Sequence, residues 1–245
     1  MSVDSLVVNE IYLSVQGEST FAGLPCVFVR LTGCNLRCSY CDTAYAFTEG
    51  ARQSAQDILA HIEQLAEPYA QSSSHPRLPL VEFTGGEPLL QKASPTLMRE
   101  LCDRGFTVLV ETSGALDISA LDPRVRRIMD LKCPSSGEDA RNLWSNIQHL
   151  RSTDEIKCVI GTQEDYDWMK QKLVEHQLAT RCPILVSWVH PLKPDQQAAS
   201  LKPVPAGQTP LSRLDVVNQI LRDALPVRFQ LQMHKVIWPP EERGV

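Results

Sequence analysis

Nowhere in the 245 residues does an apolar run approach the ~20 that a membrane-spanning helix needs. Nor is there an excess of positive charge. Lys and Arg number 24 against 29 Asp and Glu, and a net charge of −5 excludes the broad basic surface that duplex nucleic acid requires. The opening MSVDSLVVNE has no basic start followed by a long apolar stretch, so an export signal is not read there and a cytoplasmic location is expected. Internal repeats are also lacking. These absences favour a protein that acts on a small molecule or on another protein, with neither nucleic acid nor membrane as partner. In such a chain eight cysteines read as thiols rather than as a disulfide framework.

Apolar residues make up 43% and charged residues 22%, enough to bury a sizeable core without disulfides. β-rich apolar runs occupy Val27–Leu31, Val81–Thr84, Thr107–Glu111, Arg127–Leu131, Glu155–Val159 and Ile184–Trp188, with a shorter one at Val227–Leu231. Between them lie helical patterns. Ser54 with Asp57 caps a helix whose Ile58, Ile62, Leu65 and Ala66 share a face, Ser94-Pro95 opens another that Gly105 ends, and Thr162 with Asp165 opens a third running towards His176. Weaker helical patterns cover Leu116–Arg126, Glu138–Leu150 and Leu211–Ala224. The alternation predicts an α/β fold: a single domain over residues 1–245, built as an incomplete (β/α)6-type TIM-like barrel with parallel strands, although a doubly wound open sheet gives the same pattern. In either, chemistry belongs where strands end and loops begin. The segment EPYAQSSSHPRLP reads as an exposed connection, and the Pro-rich 190–210 stretch as a lid or a surface loop.

Directly after the first of these strands, LTGCNLRCSYCDT sets Cys34, Cys38 and Cys41 at CxxxCxxC. A structural zinc site takes four protein ligands, and no fourth Cys or His follows at zinc-finger spacing. A cubane [4Fe–4S] cluster also ordinarily takes four thiolates, so three leave one iron open for chemistry. A structural metal knuckle, or three unrelated core cysteines, is the plainer alternative. After the second strand comes TGGEP, Thr84 to Pro88, where paired glycines let backbone approach a ligand closely and Glu87 offers an acceptor. Cys26, Cys102, Cys158 and Cys182 sit among apolar residues and read as buried hydrophobes.

CNLRCSYC, with Tyr40 before the third cysteine, resembles the signature of the radical S-adenosylmethionine superfamily, which also carries GGEP. The resemblance implies a cluster whose free iron chelates S-adenosylmethionine and a reduced state, fed by an electron-donor protein, that cleaves it to a hydrogen-abstracting radical. It places the cofactor along Tyr40, Cys41, Asp42, Gly86 and Glu87, and along the ETSG run with Thr112 and Ser113. Lys132 and Ser135 of KCPSSG are further cofactor candidates.

Outside the cluster, NEIYLSVQGEST, FAGLPCVFVRLTGC, CDT, ETSG, KCPSSG and QMHKVIW together resemble the 7-carboxy-7-deazaguanine synthase family of queuosine biosynthesis over nearly the whole chain. That resemblance implies a lyase that rearranges 6-carboxy-5,6,7,8-tetrahydropterin, with Val15, Gln16, Gly17, Arg30 and Thr84 on substrate, Thr43 as a Mg2+ ligand, and a homodimer. Arg30 suits a carboxylate or a structural ion pair. Glu18, Lys157, His234 and Lys235 are also worth watching. Three departures stand out: QGES replaces the commoner QGEG, KCPSSG differs from the SPK form of that loop, and the tail PPEERGV runs past the point where some members end. The rivals are a glycyl-radical-enzyme activase, which should lack the QGE loop and Arg30, and a non-catalytic iron–sulfur or zinc-binding regulator.

Overall fold

The computed structural model describes residues 5–71, 76–192, 197–239 and 242–245. Parts of the exposed connection (72–75), the Pro-rich loop (193–196) and the tail (240–241) therefore lie outside the described residues.

All seven apolar runs are strands, and two more precede the second of them. The strands are β1 Ser5–Val15, β2 Pro25–Leu31, β3 Ala51–Ser54, β4 Leu80–Gly85, β5 Val108–Thr112, β6 Arg126–Leu131, β7 Glu155–Ile160, β8 Ile184–Trp188 and β9 Arg228–Gln230. They form one sheet in the order β3-β1-β2-β4-β5-β6-β7-β8-β9. From β2 to β9 every neighbouring pair is parallel. β1 instead runs antiparallel to both β2 and β3, so the incomplete parallel barrel carries an antiparallel extension at one edge. The sheet does not close on itself, its ends being β3 and β9.

The capped helices form where their signals stand. In α1 (Ala55–Ala66) the Ser54 hydroxyl accepts from the Asp57 N–H, and Ile58, Leu59, Ile62 and Ala66 are buried. α2 spans Ser94–Asp103 with Pro95 in its first turn, and Gly105 just beyond it takes φ +82°. α3 (Gln163–Glu175) and α4 (Arg213–Arg222) both open with reciprocal capping boxes, Thr162 with Asp165 and Ser212 with Asp215. A short α5, His234–Ile237, follows β9.

Two of the weaker helical expectations are corrected. Residues 116–126 form turns, because Asp117 and Asp122 accept from the N–H groups of Ser119 and Arg124 two positions on and Pro123 donates nothing. Residues 138–150 form only short 3-10 turns at Asp139–Arg141 and Trp144–His149. There the Asn142 and Asn146 side chains substitute for helical hydrogen bonds: Asn142 brackets Lys132 through both N–H and C=O, and Asn146 donates to the carbonyls of Gly114 and Leu116.

Strand alternation sends one set of side chains under the helices and the other into the half-barrel. The helix-facing core includes Val27, Val29, Phe83, Val108 and Val110, all buried. On the opposite face Cys26, Phe28, Leu80, Leu109 and Ile128 form an apolar floor. Two residues further along the same strands, that face turns polar at Glu82, Glu111 and Asp130, all lining cavities, with Lys157 beside them on β7. The site begins at this change.

Candidate active site

Above the polar layer opens a cavity of about 220 Å³. Cys34, Cys38 and Cys41 line it, on the loop after β2. Gly33 starts that loop at φ +99°, a conformation costly to any residue with a Cβ, and its N–H donates to Ala46 O at 2.8 Å. The loop is held against the turn after β6. Ser39 donates from its N–H to Ser136 O (3.0 Å) and from its hydroxyl to Ser135 O (2.6 Å), and the Arg37 N–H donates to Glu138 (2.7 Å). Lys202 of the Pro-rich loop closes the bracket by donating its N–H to Arg37 O and pairing its ammonium with Glu138 at 2.9 Å.

The GGEP turn presses on the same loop. A Cβ on Gly86 would lie 2.1 Å from Gly33 O and 2.9 Å from Cys34 Cβ, so only glycine lets the two loops meet. Glu87, expected to offer its carboxylate to the cofactor, instead turns into the protein. It is fully buried and accepts from the Thr112 hydroxyl, the Ser113 N–H and hydroxyl, and the Leu89 N–H. Those hydrogen bonds tie the end of β4 to the end of β5.

Arg30 and Ser135 are also held by neighbouring side chains. The Arg30 guanidinium donates to Glu10 at 2.7 Å and to the Tyr12 hydroxyl at 2.8 Å, and lies 5.9 Å from the Tyr12 and Tyr45 ring centroids. It lines neither cavity and is committed to an ion pair in an aromatic cage. Ser135 donates through both N–H and hydroxyl to Asp165, which completes the capping box of α3 with Thr162.

The remaining sequence candidates do converge. Tyr40, Asp42, Thr43, Thr84 and Gly86 face the main cavity, as do Thr112, Ser113 and Lys132. Val15, Gln16 and Gly17 line a second cavity of about 80 Å³, which adjoins the first along Glu18, Glu111 and His234. Val245, at the end of the tail, also lines the second cavity, while Arg243 anchors the tail by pairing with Glu49 and lying 3.7 Å from the Tyr45 ring centroid.

Between the cavities runs a buried charge network. Lys157 pairs with Glu18 at 2.8 Å and also with Glu111, and Gln232 donates to Glu18. Burial works against ionised Glu18, but Lys157 and then His234 overcome it and bring its carboxyl down to about 2. Lys157 keeps its proton above the usual lysine range: burial opposes the charge, and Glu111 and Glu18 outweigh burial. Asp42, paired with Lys235, is likewise held below the usual range against burial. Asp130, Glu82 and Lys157 belong to none of the contiguous motifs. The available signal was a charged side chain at an inward position of an otherwise apolar strand.

The donor set fits an iron–sulfur cluster better than a single ion. Among the described residues no three Cys, His, Asp or Glu side chains converge on one metal position. A cubane takes thiolates on separate irons, and Cys34, Cys38 and Cys41 all line the one cavity. Burial pushes all three thiols up, Cys41 to about 12, so the irons' own charge must hold them as thiolates. The Tyr40 hydroxyl and Asp130 Oδ1, on the same cavity, are buried without a hydrogen-bond partner among the described residues. Such polar groups are ones that a bound molecule satisfies. The five cysteines outside the motif, Cys133 included, are buried thiols.

Residues 28–135 match the Radical SAM superfamily model. The chain is 38% identical over 239 residues to the 7-carboxy-7-deazaguanine synthase of Koribacter versatilis, covering 97% of this chain and 99% of that one. It is 40% identical over 243 residues to the enzyme of the same name from Chlorobaculum tepidum, covering 98% and 97%. Among solved structures, QueE from Escherichia coli superposes with a TM-score of 0.66 at 23% identity, over 94% of this chain and 95% of that one. Streptococcus suis SuiB bound to S-adenosylmethionine superposes with a TM-score of 0.54 at 14% identity, over 82% of this chain and 48% of that one. These two likenesses bear on the fold, a partial TIM barrel.

Proposed function

The chain belongs to the 7-carboxy-7-deazaguanine synthase family of radical S-adenosylmethionine enzymes, and on that premise we propose that its two adjoining cavities bind the cofactor and the pterin side by side. The reaction is the conversion of 6-carboxy-5,6,7,8-tetrahydropterin to 7-carboxy-7-deazaguanine with loss of ammonia, a lyase step of queuosine biosynthesis. The observation that carries this reading is the joining of the cysteine-lined cavity to the QGE-loop cavity through Glu18, Glu111 and His234. A glycyl-radical-enzyme activase should lack that loop.

When bound, the cluster and S-adenosylmethionine supply the radical that takes hydrogen from the substrate. Cys34, Cys38 and Cys41 hold the cluster, and Gly86, by its close approach to Gly33, brings backbone up to the cofactor. Asp130 and Tyr40, with unsatisfied polar atoms, and Lys132, paired with Asp130 at 2.6 Å, offer the cofactor complementary donors and acceptors. Glu18, Glu111 and Thr84 present oxygens to the pterin; Thr84 already donates to Glu111 at 3.3 Å. With Arg30 outside both cavities, the cations that line the main cavity are Lys132, Lys157 and Lys235, while burial holds His234 below the usual histidine range and leaves it a neutral hydrogen-bonding group for the substrate. The Thr43 hydroxyl, which donates to Asp42 at 2.8 Å, and the Asp42 carboxylate form a hard-oxygen pair suited to Mg2+ shared with substrate oxygens. The whole chain acts as one domain, fed by a reducing donor protein and paired with a second copy as a homodimer. Among the described residues no helix is long and apolar enough to cross a membrane.

The deciding experiment incubates anaerobically reconstituted protein with reductant, S-adenosylmethionine, Mg2+ and the carboxytetrahydropterin, and follows product mass. Formation of the deazaguanine acid, abolished by Cys38→Ala, is expected. A fully loaded cluster that leaves the pterin unchanged rejects the assignment.

A further inference from the structure

We propose that Glu82 is a positioning residue for the substrate loop 16–20: its carboxyl sets the orientation of the Gln16 side-chain amide and, through it, the approach of Glu18 to Lys157. The inference rests on the reading that this loop faces the pterin.

The loop spans the open half-barrel from wall to wall. At the β4 wall, Gln16 Nε2 donates to Glu82 Oε2 at 2.5 Å; at the β7 wall, the Thr20 N–H donates to Glu155 at 3.0 Å. Glu18 lies between, on Lys157. The Gln16 backbone is already fixed by its turn, its N–H donating to Leu24 O and its carbonyl accepting from Gly23, both at 2.8 Å. The side chain is what remains to be set. Its amide has two orientations, and in the one observed Gln16 Oε1 accepts from the Glu18 N–H at 2.5 Å. The NH2 must then point at the β4 wall, where an acceptor is required. Glu82 supplies it.

An apolar residue would fill that place at lower cost, as Leu80 does one inward position earlier and Leu109 does on the neighbouring strand. Glu82 is 1% exposed and sits near Glu111 and Glu18, so burial and then Glu111 push its carboxyl well above the usual range. Burial favours the neutral acid, whose shape a glutamine amide shares, and this separates two roles. If the acid serves as a hydrogen-bond partner, glutamine replaces it; if its proton or charge is used, glutamine fails.

The test compares Glu82→Gln, Glu82→Asp and Glu82→Leu in the reconstituted holoenzyme. It measures KM and kcat for the pterin, equilibrium binding of the pterin, S-adenosylmethionine binding from the electron-paramagnetic spectrum of the reduced cluster, and Tm. Glu82→Gln should hold pterin affinity within about twofold. Glu82→Asp, which withdraws the acceptor by about 1.5 Å, and Glu82→Leu should each raise KM and the pterin Kd roughly tenfold, the factor one buried hydrogen bond carries. Their S-adenosylmethionine signal should stay unchanged. In a Gln16→Ala background, Glu82→Leu should add nothing further. Wild-type affinity in the Asp and Leu variants, failure of the Gln variant alongside them, or additivity with Gln16→Ala overturns the proposal. If Leu does not fold, the Asp variant and the Gln rescue still decide it. Failure of the unaltered enzyme to bind the pterin refutes the proposed function instead.

Discussion

Ser19 stands where the family's commoner QGEG has glycine, and it takes φ +63°, the left-handed region that suits glycine. It is 6% exposed, and its hydroxyl accepts from the Phe21 N–H at 3.0 Å, so the side chain recovers part of what the backbone loses. Relief of the positive φ is worth about 1–2 kcal/mol. Loss of the hydroxyl contact costs about 1 kcal/mol, and glycine's freer unfolded chain roughly another 0.5–1. Ser19→Gly is therefore expected to be nearly neutral. Ser19→Ala keeps the strain and loses the hydrogen bond, so it should fall about 1 kcal/mol below both. Urea denaturation checks this ordering; alanine more stable than glycine, as at ordinary sites, would contradict the strained conformation.

Elements were legible where local signals agreed with tertiary demands. Helices α1 to α3 and all seven parallel strands could be read because capping residues in α1 and α3, the Pro95 start of α2 and the apolar runs act locally. β1 and β3 could not: Asn9 and Glu10 interrupt the apolar pattern of β1 beside a bulge, and β3 is a four-residue polar edge strand. Residues 138–150 misread as helix for the opposite reason. Their spacing is helical, but the asparagines spend their hydrogen bonds on distant carbonyls. Asn146 is fully buried, its amide nitrogen reaching Gly114 O at 3.0 Å and Leu116 O at 2.8 Å and its oxygen accepting from the Ile118 N–H at 3.3 Å. In a helix, Asn146→Ala would stabilise by a few tenths of a kcal/mol. In the observed turns it should destabilise by roughly 2–3 kcal/mol, since buried groups on both sides lose their partners. The sign of the change in the urea midpoint distinguishes the two.

At the scale of the whole molecule, the cofactor end of the site was legible because its residues form contiguous motifs at strand ends. The contacts of Arg30, Glu87 and Ser135 were not legible because their partners Glu10, Thr112 and Asp165 come from other strands and helices, which only the assembled barrel brings within reach. The same assembly puts Glu18, Glu82, Glu111 and Lys157 into one buried network, and that network should shape stability against pH. Unfolded carboxyls titrate near 4.3. Glu18, lowered to about 2, contributes stability that is complete above that value and is lost as pH falls towards 2, roughly 3 kcal/mol over the limb. Glu82 is shifted the other way, mainly by burial and then by Glu111, so its contribution is complete below about 4.3 and drains away as pH rises towards its raised pKa. The urea midpoint of the cluster-free protein should therefore climb from pH 2 to about 4.5 and then decline towards neutrality. Glu82→Gln cannot ionise, so it should flatten the upper decline and leave the acid limb in place. An unchanged decline in that variant would mean that Glu82 is already ionised in the folded protein, and would return the charge of the barrel interior to a balance set by Lys157.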